Sequence, residues 1–100
     1  MAVAQISVIP VGTGSASISD YVVGALRIVK ESGLKYELSS MGTSVEGDVG
    51  SILDLVGKVH ERCFKQGAVR VLTSLTIDDR RDKPLSIDGK KSAVRAKIQA

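Results

Sequence analysis

The segment "KYELSSMGTSVEG" (35–47) limits the possible folds more than any other. It holds two β-type runs, "KYELSS" (35–40) and "GTSVEG" (42–47), with almost nothing between them. So short a link permits an antiparallel hairpin and little else. Whatever surrounds the hairpin must be built around that pair.

The flanks repeat one pattern. Upstream, "VAQISVIPVG" (3–12) alternates as a strand, with Ala4, Ile6 and Val8 on one face and Val3, Gln5, Ser7, Ile9 and Val11 on the other. "GTGSAS" (12–17) is turn chemistry. Ile18, Tyr21, Val22, Ala25 and Val29 then share one helix face. The spacing predicts a helix over about 17–32, with Ser17 as its N-cap, Asp20 completing a capping box and Gly33 as the stop. Downstream, Asp48 caps a second helix with an apolar stripe of Val49, Ile52, Leu53, Val56, Val59 or His60, and Cys63, ended by Gly67. "AVRVLTSLTID" (68–78) is the last strand, and residues 88–99 form a weakly amphipathic helix with Val94 and Ile98 as its apolar pair.

The resulting order, β-α-β-β-α-β plus a helix, is two split β-α-β units: an α+β, ferredoxin-like sandwich. Right-handed crossovers give a four-stranded antiparallel sheet in the order 4-1-3-2, with both long helices on one face. One hundred residues make one such domain, spanning 1–100, with a basic helical segment at 85–100. If Ala4, Ile6 and Val8 face the helices, the opposite face carries Gln5, Ser7, Ile9, Leu72, Ser74 and Thr76. Small hydroxyls mixed with Ile and Leu suit a subunit contact or a small-ligand pocket better than a freely solvated surface, which more often carries Lys and Glu.

Charge and composition remove several functions. Five of the 14 Lys and Arg lie after residue 82, with one acid among them, so the net charge of +3 belongs to the tail. Tyr21, Tyr36 and Phe64 are the only aromatics, too few for a base-stacking surface, and no nucleic-acid partner is expected. One Cys and one His exclude a disulfide within the chain and a zinc-type ligand set, and no metal is expected. No run is apolar enough for a membrane span, and the start lacks the basic region of a signal peptide, so the expected location is cytoplasmic.

The candidate chemistries are weak. "GTGSAS" lacks the lysine of a phosphate loop and the arginine of an acylphosphatase loop. His60 and Cys63 sit on the inner side of a helix, where structural roles are commoner than catalytic ones. In "DDRRD" (78–82) each side of the strand mixes signs, which argues against a magnesium site and a phosphate clamp. Asp79, Arg80 and Arg81 suit ion pairs, within the chain or across a subunit boundary. No catalytic residue is assigned, and no cofactor is expected.

Three segments, "VIPVGTGSASISDYV" (8–22), "YELSSMGTSVEGD" (36–48) and "RVLTSLTIDDRRD" (70–82), carry a resemblance to the small thiamine-binding protein family. It implies a ferredoxin-like subunit that forms homodimers or homotetramers through its sheets. It also implies binding of thiamine or its hydroxymethylpyrimidine part, without catalysis. For such a ligand Ser39, Ser40 and Thr43 can supply directed hydrogen bonds, and Gly42 lets the backbone approach. Met41 and Ile9 can supply apolar walls, and Glu46 or Asp78 can complement the cationic ring or the amino group. The alternative is a structural or regulatory oligomer acting through a protein partner.

Overall fold

A computed structural model describes residues 1–15 and 17–99. The elements in chain order are β1 (Ala2–Pro10), α1 (Ser19–Glu31), β2 (Lys35–Ser39), β3 (Gly42–Gly47), α2 (Val49–Lys65), β4 (Val71–Asp79) and α3 (Ile87–Gln99). The four strands form one antiparallel sheet in the order β2-β3-β1-β4, the ferredoxin-like arrangement that the element order predicts.

Side-chain alternation divides the sheet as expected. Ala2, Ala4, Ile6 and Val45 face α1 and α2, and with Val29, Ile52, Leu55 and Val59 they form the core. Val71, Thr73, Leu75 and Ile77 of β4 are half-buried, while Leu72, Ser74, Thr76 and Asp78 between them are exposed. Ile52 and Val45 are fully buried at the centre.

Helix boundaries follow local chemistry, with two differences. Asp48 caps α2 by accepting from the Ser51 N–H at 2.9 Å and the Ser51 hydroxyl at 2.8 Å. Gly33 and Gly67 close α1 and α2 with φ of +76° and +104°. Ser17, however, does not cap α1. The N-cap is Ile18, whose carbonyl oxygen accepts from Tyr21 and Val22, while the Ser17 hydroxyl turns to Ser19 at 3.4 Å, so no capping box forms with Asp20. On α2 the inward stripe runs through Leu55, and Leu53 is 52% exposed. Leu55 lies three residues after Ile52 and Leu53 three before Val56, so each has a helical partner in the stripe; the docking rotation of α2 selects one.

The tail helix is placed by charge. Glu46, Glu37, Lys35 and Asp78 lie on the sheet face away from α1 and α2, toward one end of the strands. The Glu46 carboxylate accepts from the Ile87 N–H at 3.0 Å, and Ile87 is buried beside it. Lys35 pairs with Asp88, Lys90 with Asp78 and Lys91 with Glu37. Beyond Lys91 the helix is exposed, including Val94 at 57% and Ile98 at 77%. This projecting half explains a radius of gyration of 14.9 Å, against about 13 Å for a compact chain of this length.

Candidate functional site

β1 is longer than its neighbour β3. Their pairing runs from Ala2↔Gly47 to Ile6↔Thr43 and stops, because β3 begins at Gly42. Past that point the side of β1 at Ser7–Ile9 faces the tip of the β2–β3 hairpin across a gap. α1 crosses the gap on the core side. The result is a cleft of about 240 Å³ between β1, α1 and residues 38–43 of the hairpin.

Its floor is the core itself, through Ile6, Val29 and Val59. Val22, Ala25 and Leu26 of α1 form one wall. Ile9, Leu38 and Met41 are 46%, 53% and 80% exposed and make an apolar rim. Ser7, Ser39, Ser40 and Thr43 contribute hydroxyls. Among the described residues no charged side chain lines the cleft. Apolar walls with a few directed polar groups are the usual makeup of a small-molecule site.

The hairpin tip is held in place. The Ser39 hydroxyl donates to the Gly42 carbonyl oxygen at 3.0 Å. A Cβ on Gly42 would lie 2.9 Å from the Ile6 carbonyl oxygen and 3.0 Å from the Gln5 side-chain nitrogen. Glycine is thus required for the tip to close on β1.

Six of the eight residues expected to contact a ligand therefore meet at one cleft: Ile9, Ser39, Ser40, Met41, Gly42 and Thr43. Glu46 and Asp78 do not join them. Both sit opposite Val3, toward the other end of β1, and both are held by α3. Sequence reasoning missed the α1 wall. Val22 belonged to the predicted helix face, but Leu26 lay outside it, and nothing in a helix stripe says which members border a gap.

The other sequence candidates have local partners. Gln5 is opposite Thr76 and Ser7 opposite Ser74 on the outer face, with Ile9 opposite Leu72. Arg81 pairs with Asp79 at 2.9 Å, and Arg80 reaches Asp82 with two bonds, the longer at 2.8 Å. These pairs are local and exposed; each hydrogen bond holds its arginine above and, for Asp82, the acid below the ordinary value. His60 Nδ1 is 2.7 Å from the Thr73 hydroxyl, and its ring meets Phe64 edge-on with centroids 5.3 Å apart. Burial keeps Cys63 protonated by pushing the thiol's pKa up. Neither residue lines the cleft.

A ferredoxin-like domain with a small, uncharged cleft beside β1 has the makeup of a small-molecule site. Comparison with known proteins narrows the class. Residues 4–95 match the family described as thiamine-binding protein, and the chain belongs to that family. It is 36% identical to the UPF0045 protein YqgV of Bacillus subtilis over 99% of both chains. The crystal structure of the hypothetical protein MJ1052 of Methanocaldococcus jannaschii superposes with a TM-score of 0.85, at 41% identity over 93% of this chain and 94% of that one. A Thermotoga maritima protein, provisionally described as acting in thiamine biosynthesis or salvage, superposes with a TM-score of 0.77 at 27% identity, covering 93% and 97%. Among the described residues no helix is long and apolar enough to cross a membrane.

Proposed function

We propose that the chain is a non-enzymatic binding protein for thiamine or its hydroxymethylpyrimidine part, and that it works as a homo-oligomer. The observation that carries this reading is the cleft, found in a chain of the thiamine-binding family. Its volume of about 240 Å³ lies below the roughly 300–1,000 Å³ of sites for drug-sized ligands. That suits a single pyrimidine ring. The uncharged lining favours the same choice, because a buried cation without a counter-charge is costly. The aminopyrimidine enters, and the thiazolium ring of thiamine stays at the rim and in water.

The ring packs against Val22 and Leu26, and Ile9 and Met41 cover its edges. Ser40 and Thr43 offer hydrogen bonds from the hairpin. Glu46 and Asp78 are left to hold α3. Binding without turnover is supported by the lining, where among the described residues the hydroxyls of Ser7, Ser39, Ser40 and Thr43 have no acid or base beside them to activate one as a nucleophile.

Assembly uses the outer sheet face. α3 covers the end that carries Glu46 and Asp78, and the other part, with Gln5, Ser7, Leu72, Ser74 and Thr76, is left to a second copy.

Calorimetry with thiamine and with hydroxymethylpyrimidine tests the binding reading. Both should bind to wild type, and Val22→Trp, which fills the cleft from α1, should weaken both by at least about tenfold. Absence of heat with either ligand contradicts it.

A further inference from the structure

The β1 wall of the cleft holds a main-chain donor and acceptor without a partner among the described residues. The β1–β4 register runs unbroken from Ala2↔Asp79 to Pro10↔Val71, and Val11 then donates its N–H to the Arg70 carbonyl oxygen at 2.8 Å. In an antiparallel ladder, hydrogen-bonded and non-hydrogen-bonded pairs alternate. Counting back from Val11, Ile9, Ser7, Gln5 and Val3 exchange their bonds with β4. The even-numbered residues turn their N–H and C=O groups the other way, toward β3. There Ala2, Ala4 and Ile6 find Gly47, Val45 and Thr43.

Val8 finds nothing. The residue across from it would be Met41, which lies in the turn, and no bond joins them. Pro10, the next residue pointing this way, has no N–H to leave unpaired. Val8 is half-buried and lines the cleft. A strand edge one residue long thus opens into a small apolar space, where an unmet amide and carbonyl cost free energy. A second strand cannot complete it: α1 and the hairpin tip close the space, and Pro10 offers no donor.

A 4-aminopyrimidine can. One edge of the ring carries an amino N–H donor beside a ring-nitrogen acceptor, the complement of the C=O and N–H of a single strand residue. We propose that the Val8 main chain reads this edge: its N–H donates to the ring nitrogen, and its carbonyl oxygen accepts from the amino group. The pyrimidine then lies edge-on to β1, in the place of the residue that β3 does not supply. This inference rests on the proposed function and names the group that recognises the ring.

The test is a titration of wild-type protein with thiamine and with its 4-oxo analogue. The analogue reverses the pattern, setting carbonyl against carbonyl and N–H against N–H. It should bind at least about 100-fold more weakly than thiamine, because a site built for one hydrogen-bond pattern leaves its groups unpaired with the other. In ¹H–¹⁵N spectra the Val8 amide proton should move downfield on adding thiamine, by more than any other amide. Binding of the analogue within about threefold of thiamine, or a Val8 amide unmoved at saturation, overturns the inference and leaves the proposed function standing. If neither thiamine nor hydroxymethylpyrimidine binds, both fall.

Discussion

At Gly42 a methyl group would meet backbone, the Ile6 carbonyl oxygen at 2.9 Å, and backbone cannot swing aside as a side chain does. Gly42→Ala should therefore cost about 1–3 kcal/mol, read from urea denaturation. It should also weaken thiamine, because relief comes by moving the hairpin tip away from β1. Ile52 makes a contrasting case. It is fully buried under the sheet, away from the cleft lining. Ile52→Ala should cost about 2–5 kcal/mol and leave the affinity of the remaining folded protein near that of wild type. At this scale the sequence was informative about chemistry and poor about place. Ser39, Ser40, Gly42 and Thr43 stood out as small or polar at a turn, and they do border the cleft. Glu46 and Asp78 were chosen for charge. Alternation puts them on the outer face, but only the register shows that both stand beside Val3, where α3 takes them.

Among the elements, α3 is the one held mainly by ions. The Asp88 carboxyl is kept below its ordinary value by its hydrogen bond to Lys35, and the same bond raises Lys35. A depressed carboxylate stabilises above its unfolded pKa and loses that as pH falls through the folded value. A raised lysine stabilises below its unfolded pKa and loses that as pH rises through the folded one. The tether is thus intact between the ordinary carboxylate and lysine ranges, and all its pairs are exposed and screened by salt. Hydrogen exchange should show α3 amides losing protection as salt rises at pH 7, while β1 amides change little. Asp48 behaves as Asp88 does. The Ser51 amide and hydroxyl hold its carboxyl low, so Asp48→Ala should lower the urea midpoint at pH 7. The gap from wild type should shrink as pH falls below the usual carboxylate value. The Asp48 cap was legible because Asp immediately precedes the apolar stripe. The α1 start was not, because Ser17 and Ile18 compete for one position and only the geometry of the first turn decides.

For the whole molecule, the order of periodicities was enough to reach the fold. A hairpin with a minimal link, set between two helix-and-strand units, leaves few ways to connect a sheet without left-handed crossovers. The cleft was not reachable that way. It exists because β1 has nine residues and β3 six, and because the unmatched residues of β1 lie at its C-terminal end. Strand lengths come from pattern, but their relative offset comes from tertiary packing. α3 divides the outer face in two, one part beneath it and one exposed. If the bare part joins copies, Leu72→Lys should raise the subunit dissociation constant by at least about tenfold, measured by sedimentation equilibrium.

A thiamine-type pyrimidine is proposed to occupy the cleft between β1, α1 and the hairpin tip. Amide shifts across the whole chain during titration with hydroxymethylpyrimidine test it most directly. Occupancy of the cleft predicts saturable shifts grouped at residues 7–9, 22–29 and 38–43, with α3 and the end of β4 unmoved. Shifts grouped around Glu46, Asp78 and α3, or no saturable shifts at all, would contradict it.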